Sequence, residues 1–141
     1  MAFHKTPTSI ARALAERDYT EATPVQAAVL EAEADGRDLL VSAQTGSGKT
    51  VAYGIAIAET LLEGADTMGP ADAPRALIIA PTRELAMQVQ RELSWLYRYA
   101  GARVVACVGG MDPGRERRQL ADGVHVVVGT PGRLRDHLER R

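Results

Sequence analysis

The 141-residue chain carries 17 basic and 18 acidic side chains, a formal net charge of -1, with 45% apolar and 25% charged residues. These values fit one globular domain with a real core, leave no room for a second full domain, and argue against a general electrostatic grip on nucleic acid, so that any such binding must rest on a few placed groups. No apolar run approaches a membrane span, the start Met1-Ala2-Phe3-His4-Lys5 lacks a signal-peptide core, and the single Cys107 cannot close an internal disulfide; the expectation is a soluble, cytoplasmic protein.

The first segment with chemical content is Asp18-Tyr19-Thr20-Glu21-Ala22-Thr23-Pro24-Val25-Gln26. It admits two readings. In the structural one, Thr23 caps a helix, Pro24 takes the first helical position and Gln26 closes a capping box. In the functional one, the Gln26 amide gives and accepts hydrogen bonds along an adenine edge while Tyr19 stacks on the ring. Stability does not separate them, because loss of a cap costs about 0.5–2 kcal/mol and a bidentate base contact is worth about 1–3 kcal/mol. Base selectivity does.

Next comes a candidate strand, 38–42, and directly after it Ala43-Gln44-Thr45-Gly46-Ser47-Gly48-Lys49-Thr50, which opens a helical pattern over 49–63. Strand, glycine-rich loop and helix in that order are the context a triphosphate-binding loop requires. Gln44, Thr45, Gly46, Ser47 and Gly48 then form an anion nest whose N–H groups turn inward, backed by the positive end of the helix dipole. Lys49 reaches the β and γ phosphates, and the Thr50 hydroxyl takes one position on Mg²⁺. The bland alternative is an ordinary Gly/Ser turn, which leaves the Lys-Thr ending and the flanking elements to coincidence.

After a surface loop at 64–74, the runs 76–80, 103–108 and 124–128 are strand candidates without clean alternation, which implies burial on both faces. Helical patterns over 83–99, over 113–121 and from 131 separate and follow them. In the first, Leu85, Val89, Leu93 and Leu96 recur at helical spacing and Gly101 is placed to end the helix. Cys107, inside an apolar run, reads as a buried small residue. The alternation implies an α/β fold, a parallel sheet flanked by helices, with ligands gathered at the carboxyl ends of the strands. The unusual motifs fall there. Pro81-Thr82-Arg83 opens a helix as a second anion site, Gly109-Gly110 permits close approach to the backbone, and Thr130-Pro131-Gly132-Arg133 makes a third anion site. Taken singly, each has a dull explanation as a cap, a turn or a solvated arginine.

Together these segments resemble the DEAD-box family of ATP-dependent RNA helicases, specifically the first of its two RecA-like domains: 18–26 is similar to the Q motif, 43–50 to motif I, 81–86 to motif Ia, 109–110 to the GG motif and 130–133 to motif Ib. Ala22 and Asp18 stand where the family usually has Pro and Gly, and Phe3 corresponds loosely to its upstream aromatic residue. The resemblance implies ATP and Mg²⁺ as ligands, with Tyr19, Thr23 and Gln26 at the base. It also implies sequence-independent RNA-backbone contacts from Pro81, Thr82, Arg83, Gly109, Gly110, Thr130, Pro131, Gly132 and Arg133. The chain then reads as a partial RecA-like P-loop domain, 1–35 being the Q-motif region and 36–141 the sheet with its RNA-facing motifs. The family's Asp-Glu-Ala-Asp carboxylates do not occur in these residues, nor does its second RecA-like domain. The expectation is therefore a portion that binds ATP and RNA without hydrolysis, truncated from a longer enzyme, with a sheet opened where strands are missing. A non-catalytic ATP- and RNA-binding module, an unrelated P-loop NTPase or kinase, and a DNA-directed helicase are the alternatives.

Overall fold

The computed structural model describes residues 6–19, 21–30, 38–40, 48–109 and 112–140. The chain divides into two compact units, Met1–Thr67 with Trp95–Ala100, and Met68–Ser94 with Gly101–Arg141.

The described part of the first unit is helical. Helix α1 (Thr8–Glu16) buries Ile10, Ala13 and Leu14, whose spacing places them on one face. Helix α2 (Pro24–Val29) begins at the capping box anticipated from Thr23, Pro24 and Gln26. It lays Val25 and Val29 against Ala52 and Ala56 of helix α3 (Lys49–Leu62), two small side chains one turn apart that let the helices approach closely. Just before a 3-10 turn at Arg98–Ala100 stands Tyr97, fully buried, whose hydroxyl donates to the Gly54 carbonyl of α3 at 2.5 Å. Gly101, at φ 70°, follows that turn; the helix it is expected to end stops earlier, at Leu96.

The second unit holds a three-stranded parallel sheet in the order β1-β3-β2, formed by β1 (Ala76–Ile79), β2 (Val104–Cys107) and β3 (Val126–Gly129). Helix α4 (Arg83–Leu96) follows β1, α5 (Pro113–Ala121) follows β2 and α6 (Pro131–Arg140) follows β3. Val105, Cys107, Val124 and Val127 form a core cluster against Leu120 of α5 and Leu134 of α6. Central β3 is buried throughout, as a strand with a neighbour on each side and covered faces must be.

Three expectations need correction. Burial on both faces does not extend to β1, where Leu77 and Ile79 are 57% and 61% exposed; it is an edge strand in the described sheet, and one of its faces is uncovered. Leu85 is likewise exposed, while Val89, Leu93 and Leu96 of the same stripe are buried. In addition, residues 38–40 of the candidate strand 38–42 form no strand, and Leu40 is fully exposed. A strand exists only where a neighbour takes up its backbone hydrogen bonds, and none of the described strands belongs to the same compact unit as this segment.

Candidate functional site

The nucleotide side is built at the start of α3. Gly48 precedes Lys49 in the left-handed region, at φ 87°, and a Cβ there would collide with the Gln26 side chain. Glycine is therefore required twice, for its backbone angle and for its neighbour. Gln26 is fully buried and makes three connections: its Oε1 accepts from the Thr23 N–H at 3.0 Å, its N–H donates to Thr23 Oγ1 at 3.4 Å, and its Nε2 donates to the Gly48 carbonyl at 3.3 Å. The amide thus both closes the cap of α2 and ties it to the residue before Lys49. Among the described residues its amide keeps one donor and one acceptor position unused.

Among the described residues no side chain caps α3, whose N-cap is Gly48. Its first N–H groups carry the partial positive charge of a helix start, and Lys49, exposed, and Thr50 stand in the first turn. These residues fit an anionic phosphate chain with its counter-cation. Gln44, Thr45, Gly46 and Ser47 lie outside the described residues, as do Gly110 and Phe3.

In the second unit the three remaining motifs leave one end of one sheet. The register pairs Ile79 with Gly129 and Gly129 with Cys107, and the ladder continues one step further through Ala80 N–H to Gly129 O and Thr130 N–H to Cys107 O. Pro81-Thr82-Arg83, Gly109 and Thr130-Pro131-Gly132-Arg133 therefore start side by side, with the Thr130 corner in the middle. Adjacent corners are separated by roughly one strand spacing, about 4.8 Å. Thr82 and Arg83 are exposed and line a shallow recess with Glu84. The Thr82 hydroxyl accepts from the Leu85 N–H at 3.2 Å, so it also caps α4. Pro131 and Gly132 are exposed in the first turn of α6.

Arg133 is placed differently from Arg83. Its side chain is 9% exposed and its Nη1 donates to Glu116 Oε1 at 3.1 Å. The same oxygen lies 2.8 Å from His137 Nε2, while Oε2 accepts from the Val108 N–H at 3.1 Å. One buried carboxylate thus staples the strand end before Gly109 to the corner containing Arg133. Cys107, Glu116 and His137 also bring their ligand atoms within 4.8 Å of one another, but the Arg133 guanidinium already supplies the positive charge that a cation would bring, and the cluster is an ion-pair network. Burial, with Glu116 beside it, pushes the Cys107 thiol up to about 11, which keeps it protonated and unreactive.

Sequence reasoning missed Glu116 and His137. Glu116 sits in the run Arg115-Glu116-Arg117-Arg118, which reads as a solvated face, yet it lies four residues before Leu120 and so shares that residue's core-facing side. His137 likewise stands one turn beyond Arg133.

Comparison with known proteins follows the same lines. A model described as DEAD/DEAH box helicase matches residues 23–141. The chain is 41% identical over 132 residues to the DEAD-box ATP-dependent RNA helicase CshA of Bacillus licheniformis, covering 94% of this chain and 26% of that protein. It is 42% identical over 127 residues to DEAD-box ATP-dependent RNA helicase 9 of Oryza sativa subsp. japonica, covering 90% and 20%. Among solved structures, the RNA helicase Prp28 from Chaetomium thermophilum bound to ADP aligns with a TM-score of 0.83 at 36% identity, over 97% of this chain and 33% of that one. The yeast DEAD-box splicing factor Prp28 aligns with a TM-score of 0.82 at 32% identity, over 96% and 33%. The chain spans 26% and 20% of these two curated relatives.

Proposed function

The chain belongs to the DEAD/DEAH box helicase family, and from that membership we propose that it is the amino-terminal ATP- and RNA-binding portion of an ATP-dependent RNA helicase. It is one partial RecA-like domain, with 1–35 as the Q-motif region and 36–141 carrying the phosphate loop and the RNA-facing corners. The observation that carries the proposal is the hydrogen bond from Gln26 to the Gly48 carbonyl. An unrelated phosphate-loop enzyme has no need of an upstream amide held against the residue before its lysine.

Tyr19, Thr23 and Gln26 take the adenine end, and Gln44 to Thr50 take the phosphates. Mg²⁺, when bound beside the Thr50 hydroxyl, supplies charge neutralisation to the β and γ phosphates. Lys49 adds a second positive charge that needs no metal. On the sheet, Thr82, Arg83, Gly109, Gly110, Thr130, Pro131 and Gly132 approach the sugar-phosphate backbone of one RNA strand, and reading backbone alone makes the binding indifferent to sequence. Arg133 serves this surface through Glu116, holding the corner in shape. A second RecA-like domain is the partner that closes on ATP in the complete enzyme, and the cytoplasm is its compartment.

The 141 residues contain no Asp-Glu-Ala-Asp sequence, so the chain binds ATP without turning it over at a helicase-like rate; Lys49-dependent phosphate release by this chain would overturn that statement. The base assignment is tested with Gln26→Ala, measured as the ratio of ATP to GTP affinity. The ratio falls if the free donor and acceptor of the amide read adenine, and an unchanged ratio leaves Gln26 its capping role alone.

A further inference from the structure

The reading above leaves one aromatic assembly unused. The rings of Tyr19 and Trp95 lie 5.6 Å apart between centroids at an interplanar angle of 31°, an offset, tilted stack. The Arg17 guanidinium sits 5.0 Å from the centroid of the same indole, within reach of a cation–π contact. Two residues of one turn, Arg17 and Tyr19, therefore both grip Trp95. The backbone of that turn is fixed as well, with the Asp18 N–H bonded to the Ala15 carbonyl at 3.1 Å and the Tyr19 N–H to the Leu14 carbonyl at 3.0 Å.

We infer that Trp95 is a positioning residue for the adenine base, holding the Tyr19 ring ready for stacking before the nucleotide arrives. This rests on the nucleotide reading given above and extends it. A tyrosine at the end of a turn has ring freedom that a stacking ligand must otherwise remove, and fixing the ring in advance removes that entropic penalty from binding. Backbone bonds fix the Tyr19 main chain, and Trp95 fixes its ring. Both rings are half-buried, so Trp95 covers part of Tyr19 and leaves part accessible. The effect is confined to the base. Inorganic tripolyphosphate, which has no ring, binds at the α3 start without using the stack.

Trp95 is the single tryptophan of the chain, which makes its emission a local probe. ATP-Mg titrated into the 141-residue chain is expected to change Trp95 emission, and tripolyphosphate to bind while leaving emission unchanged. Trp95→Ala is expected to lower ATP affinity about three- to tenfold, with tripolyphosphate affinity unaltered. Trp95→Phe keeps an aromatic face and restores most of the loss; it decides the matter if the alanine variant does not fold. Equal losses for ATP and tripolyphosphate, an unchanged ATP affinity in Trp95→Ala, or the same emission change with both ligands overturns the inference while ATP binding itself stands. If the unaltered chain binds neither ligand, the nucleotide reading fails and this inference fails with it.

Discussion

The two compact units divide the charge of a nearly neutral chain unequally. Met1–Thr67 with Trp95–Ala100 carries ten acidic and six basic residues, whereas Met68–Ser94 with Gly101–Arg141 carries eight acidic and eleven basic residues, every one of them arginine. The unit proposed to take ATP meets its anion with one exposed lysine at the start of a helix. The unit proposed to take RNA spreads guanidinium groups over several elements and buries one of them in a carboxylate network. A compact, strongly hydrated ammonium suits a phosphate that comes and goes with a metal ion, and a planar fork that holds its charge under burial suits a surface that must keep its shape. The formal charge of -1 averages these two distributions and describes neither unit.

The sharpest way to break the comparison is to remove the buried carboxylate of the sheet unit. Glu116→Ala removes the nearest carboxylate from the nearly buried Arg133, leaving Asp136 at 4.0 Å, and frees the Val108 N–H; the loss of stability is expected at about 2–4 kcal/mol in denaturant unfolding. RNA affinity falls with it, because the Gly109 and Thr130 corners lose their common anchor. A loss under about 1 kcal/mol means that water already solvates Arg133, and the contrast between the units disappears. Lys49→Ala acts on the other side. It is expected to weaken ATP binding about ten- to a hundredfold, in line with ~1.5–3 kcal/mol for a hydrogen bond to a charged group, and to leave RNA affinity unchanged. A parallel fall in RNA affinity counts against separate tasks.

Both units also bury a weak acid, which gives a comparison in pH. Burial raises the Tyr97 phenol in the first unit and pushes the Cys107 thiol up to about 11 in the second. Each proton is held more tightly in the folded chain than in the unfolded one. The resulting stabilisation is complete below the ordinary value of the group, near 9 for the thiol and 10 for the phenol, and drains as pH rises toward the folded value. The sheet unit is therefore the first to weaken, between about pH 9 and 11. Melting temperatures measured across this range should decline less steeply in Cys107→Ala than in the unaltered chain; identical slopes would show that the thiol is solvated.

What the sequence made legible was local. Thr23, Pro24 and Gln26 meet within one turn, and Pro131 after Thr130 announces a helix start. What stayed hidden depends on partners far along the chain. Residues 38–40 have the composition of a strand, but pairing is decided elsewhere. Arg133 looks like a phosphate ligand until Glu116, 17 residues away, accepts its proton donor. Trp95 reads as one more apolar residue of an amphipathic helix until Tyr19, far upstream, stacks on it. The Gln26 amide lies between these cases, its cap spelled locally and its bond to Gly48 spanning 22 residues.

The smallest expected effect separates the two arginines that the sequence treated alike. Each phosphate neutralised on a single strand contributes about 0.7 to the slope of log affinity against log salt, so two equivalent ligands removed together would flatten it by about 1.4. Their surroundings are not equivalent. Arg83 is exposed at the first residue of α4, whereas the Arg133 side chain is 9% exposed and its charge is met by Glu116. A guanidinium already balanced by a buried carboxylate releases few counterions when a phosphate arrives. Arg83→Ala is therefore expected to flatten the slope by roughly 0.7, Arg133→Ala to weaken binding with little change of slope, and the double variant to stay near 0.7. A double-variant change near 1.4 would mean that Arg133 leaves Glu116 to meet the strand, and the sheet unit would then use its buried arginine as the other unit uses Lys49.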